Sequence, residues 1–130
     1  MSTKFLSPGW RMPRNANQSK SSNYSMDFDG SSSVINLGNT DAVKLGAGDF
    51  TSSAWINPDS WGSGYEGIYC NNATNGVYIG KDNAGNFVLR IVNVSNVISY
   101  STLPTANTWT HICITRLNET CTLYYNGSSV

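Results

Sequence analysis

The stretch that decides the fold is NTWTHICITRLNETCTLYYNG, residues 107–127. Apolar and polar residues alternate along it, the pattern breaks at a short polar turn, and then the alternation resumes. Alternation of this kind is typical of β-strands that bury one face, and a polar break between two of them predicts a hairpin inside a sheet. By parity, the residues of this hairpin that face the core are Ile112, Ile114, Cys121, Leu123 and Tyr125.

Short strand-like runs separated by turn residues also fill the chain before this hairpin. None of them carries a helical stripe over ten or more residues, so we predict an all-β domain, which is a sandwich, a jelly roll or a barrel. In DFTSSAWINP, Phe50, Ala54 and Ile56 share one parity and Trp55 has the other, which predicts a central strand with apolar bulk on both faces. Asp82 and its neighbours in KDNAGN, residues 81–86, predict a hairpin turn. The runs are YSMDF (24–28), VINL (34–37), DFTSSAWINP (49–58), GIYCN (67–71), GVYIG (76–80), NFVLRIVN (86–93) and VISYS (97–101).

The charges are unevenly placed in a chain whose formal net charge is zero. Residues 1–26 hold four basic residues and no acidic one, +4, while the rest of the chain holds four basic and eight acidic residues, −4. Residues 1–23 have neither helical nor strand period, so we expect them to form an extended basic arm. Its charge suits an acidic protein neighbour better than nucleic acid, unless the arm packs on its own domain. The predicted anchoring residues are Phe5, Trp10, Arg11 and Arg14.

Length and composition exclude several classes of protein. The chain has 130 residues, 39% hydrophobic and 12% charged, which suits one globular domain whose surface is rich in Ser, Asn, Thr and Gly. It lacks an apolar signal segment and any run near the roughly 18 apolar residues of a membrane span, so we expect a protein kept in a cytoplasm or built into a particle there. The odd set Cys70, Cys113 and Cys121 has no CxxC pair and is interpreted as small buried hydrophobes.

Four segments in order resemble a known family. YSMDFDGSSSVINLG, DFTSSAWINP, NTWTHICITR and CTLYYNG together are similar to the laminin G-like jelly roll of the concanavalin A-like lectin and glucanase superfamily. The resemblance covers residues 24–130 and implies one domain of two antiparallel sheets packed face to face. It also implies further strands after the YNG hairpin. We therefore expect C-terminal strands to be missing from this sequence. Either the sequence is a fragment, or the sheet has an open edge that a neighbouring chain covers with a strand.

The basic arm carries a second resemblance. MSTKFLSPGWRMPRNANQ, residues 1–18, joined to a lectin-like jelly roll, is similar to structural proteins of tailed phages of marine bacteria. That similarity implies a virion protein, assembled in the host cytoplasm, whose partners are other virion proteins or copies of itself. A free extracellular lectin with a dispensable arm is the alternative.

Catalysis would need residues that the chain supplies poorly. Glycoside hydrolases use two carboxylates flanking the scissile bond, and the only two glutamates, Glu66 and Glu119, are far apart in sequence. Asp27 and Asp29 alternate, but a strand that runs into an Asp-Gly turn explains them. The single histidine, His111, has no nucleophile motif beside it and is interpreted as packed on a sheet face. We therefore predict no enzyme, with a glucanase-like hydrolase using Asp27 or Asp29 as the alternative.

Ligand sites are expected at the rim of the sandwich. No cofactor is required; the resemblance implies calcium at rim loops, for which Asp29 and Asp82 are candidates. Sugars are bound by aromatic rings stacked on pyranose faces, and Trp61, Tyr65 and Tyr100 lie in or beside loops, where they either bind glycan or merely cover core edges. The sequence thus predicts a noncatalytic virion decoration or fibre-type protein that displays a lectin-like domain for attachment to cell-surface glycan.

Overall fold

The computed structural model places the chain in two compact units, Met1–Asn36 and Leu37–Val130. The described residues of the first unit form no strand, and every described strand belongs to the second unit. The predicted arm over residues 1–23, with its anchors Phe5, Trp10, Arg11 and Arg14, lies outside the described residues, so its boundary at residue 24 stays a prediction. The described residues are 25–38, 45, 48–71, 76–91 and 95–130.

The described part of the second unit forms two four-stranded sheets whose neighbouring strands are all antiparallel. One sheet has the order β1-β6-β7-β8 and the other β2-β3-β4-β5, and the described residues contain no helix. The predicted all-β, antiparallel, two-sheet fold class is therefore confirmed. The strands are β1 Phe50–Ile56, β2 Glu66–Cys70, β3 Val77–Lys81, β4 Phe87–Ile91, β5 Ser95–Tyr100, β6 Thr110–Leu117, β7 Thr120–Tyr125 and β8 Ser128–Ser129.

The hairpin of β6 and β7 forms where the alternation predicts it. Ile114 pairs with Leu123, and the turn between the strands is made by Asn118 and Glu119, whose φ angles are 48° and 67°. Two successive residues with positive φ are the signature of the hairpin turn that matches the right-handed strand twist. The backbone N–H of Asn118 also donates to a carboxylate oxygen of Asp49 at 2.9 Å, which ties the turn to the start of β1.

The core lies between the two sheets and is built from the alternate residues of the central strands. Cys121 and Tyr125 are half-buried and pack against it, so the parity predicted for the hairpin is confirmed. Burial raises the pKa of the Cys121 thiol. The buried members are Val77, Ile79, Phe87, Leu89 and Ile91 from one sheet and Ile112, Ile114 and Leu123 from the other.

Two predicted strands, the predicted central position of a third strand and one predicted burial are wrong. The described residues of YSMDF and all of VINL form no strand, because no described strand pairs with them, and Met26 and Val34 are 68% and 79% exposed. Among the described strands, β1 is an edge strand of its sheet, so Trp55 does not lie in a central strand. Its side chain is 64% exposed. Cys70 is an exposed thiol at the end of β2 rather than a buried hydrophobe.

Candidate functional site

The loop between β1 and β2, residues 57–65, carries two of the predicted glycan-contact residues and is fastened along its length. The backbone N–H of Asn107 donates to the carbonyl of Pro58 at 2.7 Å. Further along, the indole N–H of Trp61 donates to the carbonyl of Pro104, also at 2.7 Å. Trp61 is half-buried, and its indole N–H has a structural role because it holds the loop to the segment before β6.

A buried lysine fixes the far end of the same loop. Lys81 is only 4% exposed, and its ammonium donates to the carbonyl of Gly64 at 2.7 Å and to that of Asp82 at 3.1 Å. A buried ammonium group is costly unless hydrogen bonds replace its water. The two carbonyls therefore stabilise the charge of Lys81, and the hydrogen bond to Gly64 holds the end of the loop next to β3. The side chain of Glu66 accepts a hydrogen bond from the backbone N–H of Gly62, which closes the loop on itself.

Tyr65, at the end of this fastened loop, presents its ring to solvent beside an arginine. It is 51% exposed and meets the ring of Tyr78 edge-on, with 5.9 Å between centroids. The guanidinium carbon of Arg90 lies 5.4 Å from the Tyr65 ring centroid, and Nη2 donates to the Tyr65 hydroxyl at 3.3 Å. Tyr78 and Arg90 are register partners on the face of the sheet opposite the core. We call Tyr65, Tyr78 and Arg90 the Tyr65 surface.

Tyr78 gives this surface a rigid base. Its hydroxyl donates to the backbone carbonyl of Lys81 at 2.7 Å, and burial raises its pKa to about 12. The hydroxyl therefore stays protonated at neutral pH and keeps donating. Because both ends of the Tyr78 side chain are held, the ring of Tyr65 rests against a fixed partner.

Tyr100, the third predicted glycan-contact residue, belongs to the edge of the core. Its ring lies 5.8 Å from that of Tyr125, which in turn meets Phe87 edge-on at 5.8 Å. The hydroxyl of Tyr125 donates to the carbonyl of Thr102 at 3.1 Å, and burial raises the pKa of Tyr125. Of the three predicted rings, Tyr65 is the exposed one, while Trp61 and Tyr100 are half-buried in contacts that hold the fold.

Asp82, one of the two predicted calcium ligands, organises the turn between β3 and β4. Its Oδ1 accepts hydrogen bonds from the backbone N–H groups of Ala84 at 2.9 Å and of Asn86 at 2.8 Å. Hydrogen bonds from Asn86 above all hold the pKa of Asp82 below its usual value. Donors aimed at a carboxylate stabilise its ionised form.

Asp29, the other predicted calcium ligand, is surrounded in the same way within the first unit. Its Oδ1 accepts from the backbone N–H groups of Ser31, Ser32 and Ser33 at 2.8–2.9 Å, and the Ser32 hydroxyl donates to Oδ2 at 2.5 Å. These hydrogen bonds, that of the Ser32 hydroxyl first, hold the pKa of Asp29 far below its usual range. The described residues contain no group of three or more His, Cys, Asp or Glu side chains able to hold a metal ion, and calcium binding stays a prediction.

A second aromatic surface, which the sequence pattern does not reveal, lies on the other sheet. Trp55 and His111 are register partners whose ring centroids are 5.2 Å apart and whose planes are inclined by 47°. Trp109, 49% exposed, directly precedes β6 and has the parity of His111, and Tyr124 lies on the same face one row further along. We call Trp55, Trp109, His111 and Tyr124 the Trp55 surface. Parity alone places Trp55 opposite the core, but only the pairing of β1 with β6 brings it to His111.

The sequence matches a protein family that is consistent with the all-β, two-sheet fold. Residues 29–130 match the family Laminin G 3, described as the concanavalin A-like lectin/glucanases superfamily. The chain belongs to this superfamily. No curated protein and no solved structure matches it significantly.

Membership of the concanavalin A-like superfamily gives the chain a fold of the carbohydrate-binding type. Both aromatic surfaces stand on the outward faces of the two sheets of this concanavalin A-like sandwich. The described part of the chain has no helix with the length and apolar character that a membrane span requires. A fold of this type accommodates lectins and hydrolases alike, so the choice between them depends on the residues at the surfaces.

Proposed function

We propose that this chain is a noncatalytic attachment module that binds cell-surface carbohydrate through the Tyr65 surface and is carried on a phage virion. The observation that carries the proposal is the half-exposed Tyr65 ring, held between Tyr78 and Arg90 at the end of a loop fastened at Pro58, Trp61 and Gly64. An aromatic face can cover the apolar side of a pyranose, while a neighbouring guanidinium donates to its hydroxyls. Because the loop is already ordered, little conformational entropy is lost on binding.

The carboxylates support a noncatalytic role. Glu66 lies on β2 and bonds to Gly62, while Glu119 forms the turn between β6 and β7 in the other sheet. Hydrolysis of a glycosidic bond needs one carboxylic acid that is protonated and one carboxylate that is not. The depressed pKa of Asp29 makes it a poor proton donor for the alternative scheme that pairs it with Asp27.

Glycan binding is tested with the whole chain on an array of oligosaccharides from bacterial capsules and lipopolysaccharide O-chains. Binding should weaken about fivefold in Tyr65→Ala, since one stacked ring contributes on the order of 1 kcal/mol. Phe28→Ala removes a ring of nearly equal exposure, 48%, in the first unit and is expected to bind as the wild type does. Equal binding by Tyr65→Ala and the wild type would contradict the assignment of the site.

The virion role makes a separate prediction about the arm. The +4 charge of residues 1–26 opposes the −4 of the remaining chain, which supports docking of the arm on an acidic neighbour of the same kind. Deleting residues 1–20, which removes Phe5, Trp10, Arg11 and Arg14, should abolish incorporation into particles while glycan binding is kept. Incorporation is measured by the protein content of purified particles. Normal incorporation of the shortened chain would show that the arm is not the anchor, whereas glycan binding by a whole chain that is absent from particles would favour the alternative, a free extracellular lectin.

A further inference from the structure

The outward face of the sheet β1-β6-β7-β8 is uncharged along its described rows. Next to the Trp55–His111 pair, one row aligns Ser53, Cys113 and Tyr124, and the following row aligns Thr51, Thr115 and Thr122. Adjacent strands are about 4.8 Å apart, so rings at one end of the face and hydroxyl groups in its middle form a regular two-dimensional array. None of the side chains in these rows is Asp, Glu, Lys or Arg.

The rings on this face are more exposed than the fold requires. Trp55 keeps 64% of its surface and Trp109 49% of its surface in water, although the opposite side of β1 packs into the core. Exposed large aromatic groups that cluster on a face commonly mark a binding surface. The pair is also held in place: the backbone N–H of His111 donates to Oδ1 of Asn126 at 2.9 Å, and the Asn126 N–H donates to the His111 carbonyl at 2.8 Å.

We infer that the Trp55 surface is a second carbohydrate site, which takes an uncharged polysaccharide chain laid across the strands. Indole rings cover pyranose faces, and Ser and Thr hydroxyls both donate to and accept from sugar hydroxyls. The chemistry differs from that of the Tyr65 surface, where Arg90 adds a positive charge beside the exposed ring. A protein partner would find few aliphatic side chains in these rows and no charge with which to pair. This site extends the proposed carbohydrate binding and does not depend on the Tyr65 surface.

The experiment is affinity electrophoresis of the whole chain through gels that contain dextran, laminarin or xyloglucan, with dextran sulfate as the charged counterpart. At least one neutral polymer should retard the wild type. In Trp55→Ala the dissociation constant for that polymer should rise about tenfold. In Trp55→Phe, which keeps a ring, it should rise less. Equal unfolding midpoints in urea for the variants and the wild type would show that each of them is folded. Phe28→Ala, which removes an exposed ring outside both aromatic surfaces, is expected to migrate as the wild type does in the same gels.

Several outcomes separate this inference from the function proposed above. Wild-type migration that no neutral polymer changes, or retardation that Trp55→Ala leaves intact, overturns the second site; array binding that depends on Tyr65 would then still stand. If Trp55→Ala loses retardation by a neutral polymer while Tyr65→Ala binds the array as the wild type does, the Trp55 surface is supported as a carbohydrate site and the Tyr65 surface is contradicted. A dimer in sedimentation that Trp55→Ala abolishes, without retardation by any polymer, would show that the surface docks a second copy instead and overturns the inference.

Discussion

Replacing Phe87 by Ala is expected to lower the free energy of unfolding by about 3–5 kcal/mol, the range found when a buried aromatic side chain is truncated. Phe87 is completely buried at the start of β4, and its ring meets that of Tyr125 edge-on across the two sheets. Truncation would leave a cavity between the sheets and remove the ring contact of Tyr125. A small domain has only about 5–15 kcal/mol of stability in all, so this single change is expected to bring the protein close to unfolding.

Urea unfolding of the whole chain, followed by tryptophan fluorescence, measures this loss. Phe28→Ala is the matched control, because the same truncation at a half-exposed ring should change the stability by about 0.5 kcal/mol or less. Phe87→Leu keeps most of the volume and should lie between the two variants. A loss below about 1 kcal/mol in Phe87→Ala would mean that the sheets close over the cavity and that Phe87 does not hold them together.

Local pattern was sufficient to predict the all-β fold and its hairpins where one face of a strand is buried and the turn chemistry is distinctive, whereas the two-sheet arrangement was implied by the family resemblance. Ile112, Ile114 and Leu123 could be assigned to the core because strand parity has a period of two and the hairpin turn sets the register. VINL failed because an apolar run becomes a strand only when a neighbouring strand pairs with it. No described strand pairs with VINL, which single-residue propensity does not reveal.

The candidate site was predicted less well, because it depends on pairings between distant segments. Tyr65 was found by its place in a loop, but its neighbour Arg90 lies 25 residues further along and reaches it only through the pairing of β3 with β4. The same reasoning chose Tyr100, whose register with Phe87 turns it toward the core. Trp55 was not predicted as a binding residue. Its parity placed it correctly on the face opposite the core, but parity does not show whether another layer of the protein covers that face.

The Tyr65 surface depends on a close approach of β2 to β3, so Gly80→Ala is expected to destabilise the domain by about 2–3 kcal/mol. A Cβ atom at Gly80 would lie 2.1 Å from the Glu66 carbonyl oxygen and 2.9 Å from the Cα of Gly67. Both are backbone atoms, so the clash is relieved only if β2 moves away from β3. A Cβ atom at Gly67 would lie 3.2 Å from the Tyr78 ring, so this ring is packed over the same narrow contact.

Gly64→Ala is the matched control, because an added Cβ atom there meets no atom within 4 Å, and the carbonyl that accepts from Lys81 is unchanged. Urea unfolding should separate the two variants, and equal stabilities would mean that β2 shifts at no cost. Because Glu66 begins β2 directly after Tyr65, moving this strand also moves the Tyr65 ring away from Tyr78 and Arg90. Gly80→Ala should therefore weaken array binding about as much as Tyr65→Ala does, under conditions in which it is folded. Full binding by a destabilised Gly80→Ala would show that the sugar does not need the ring held in this place.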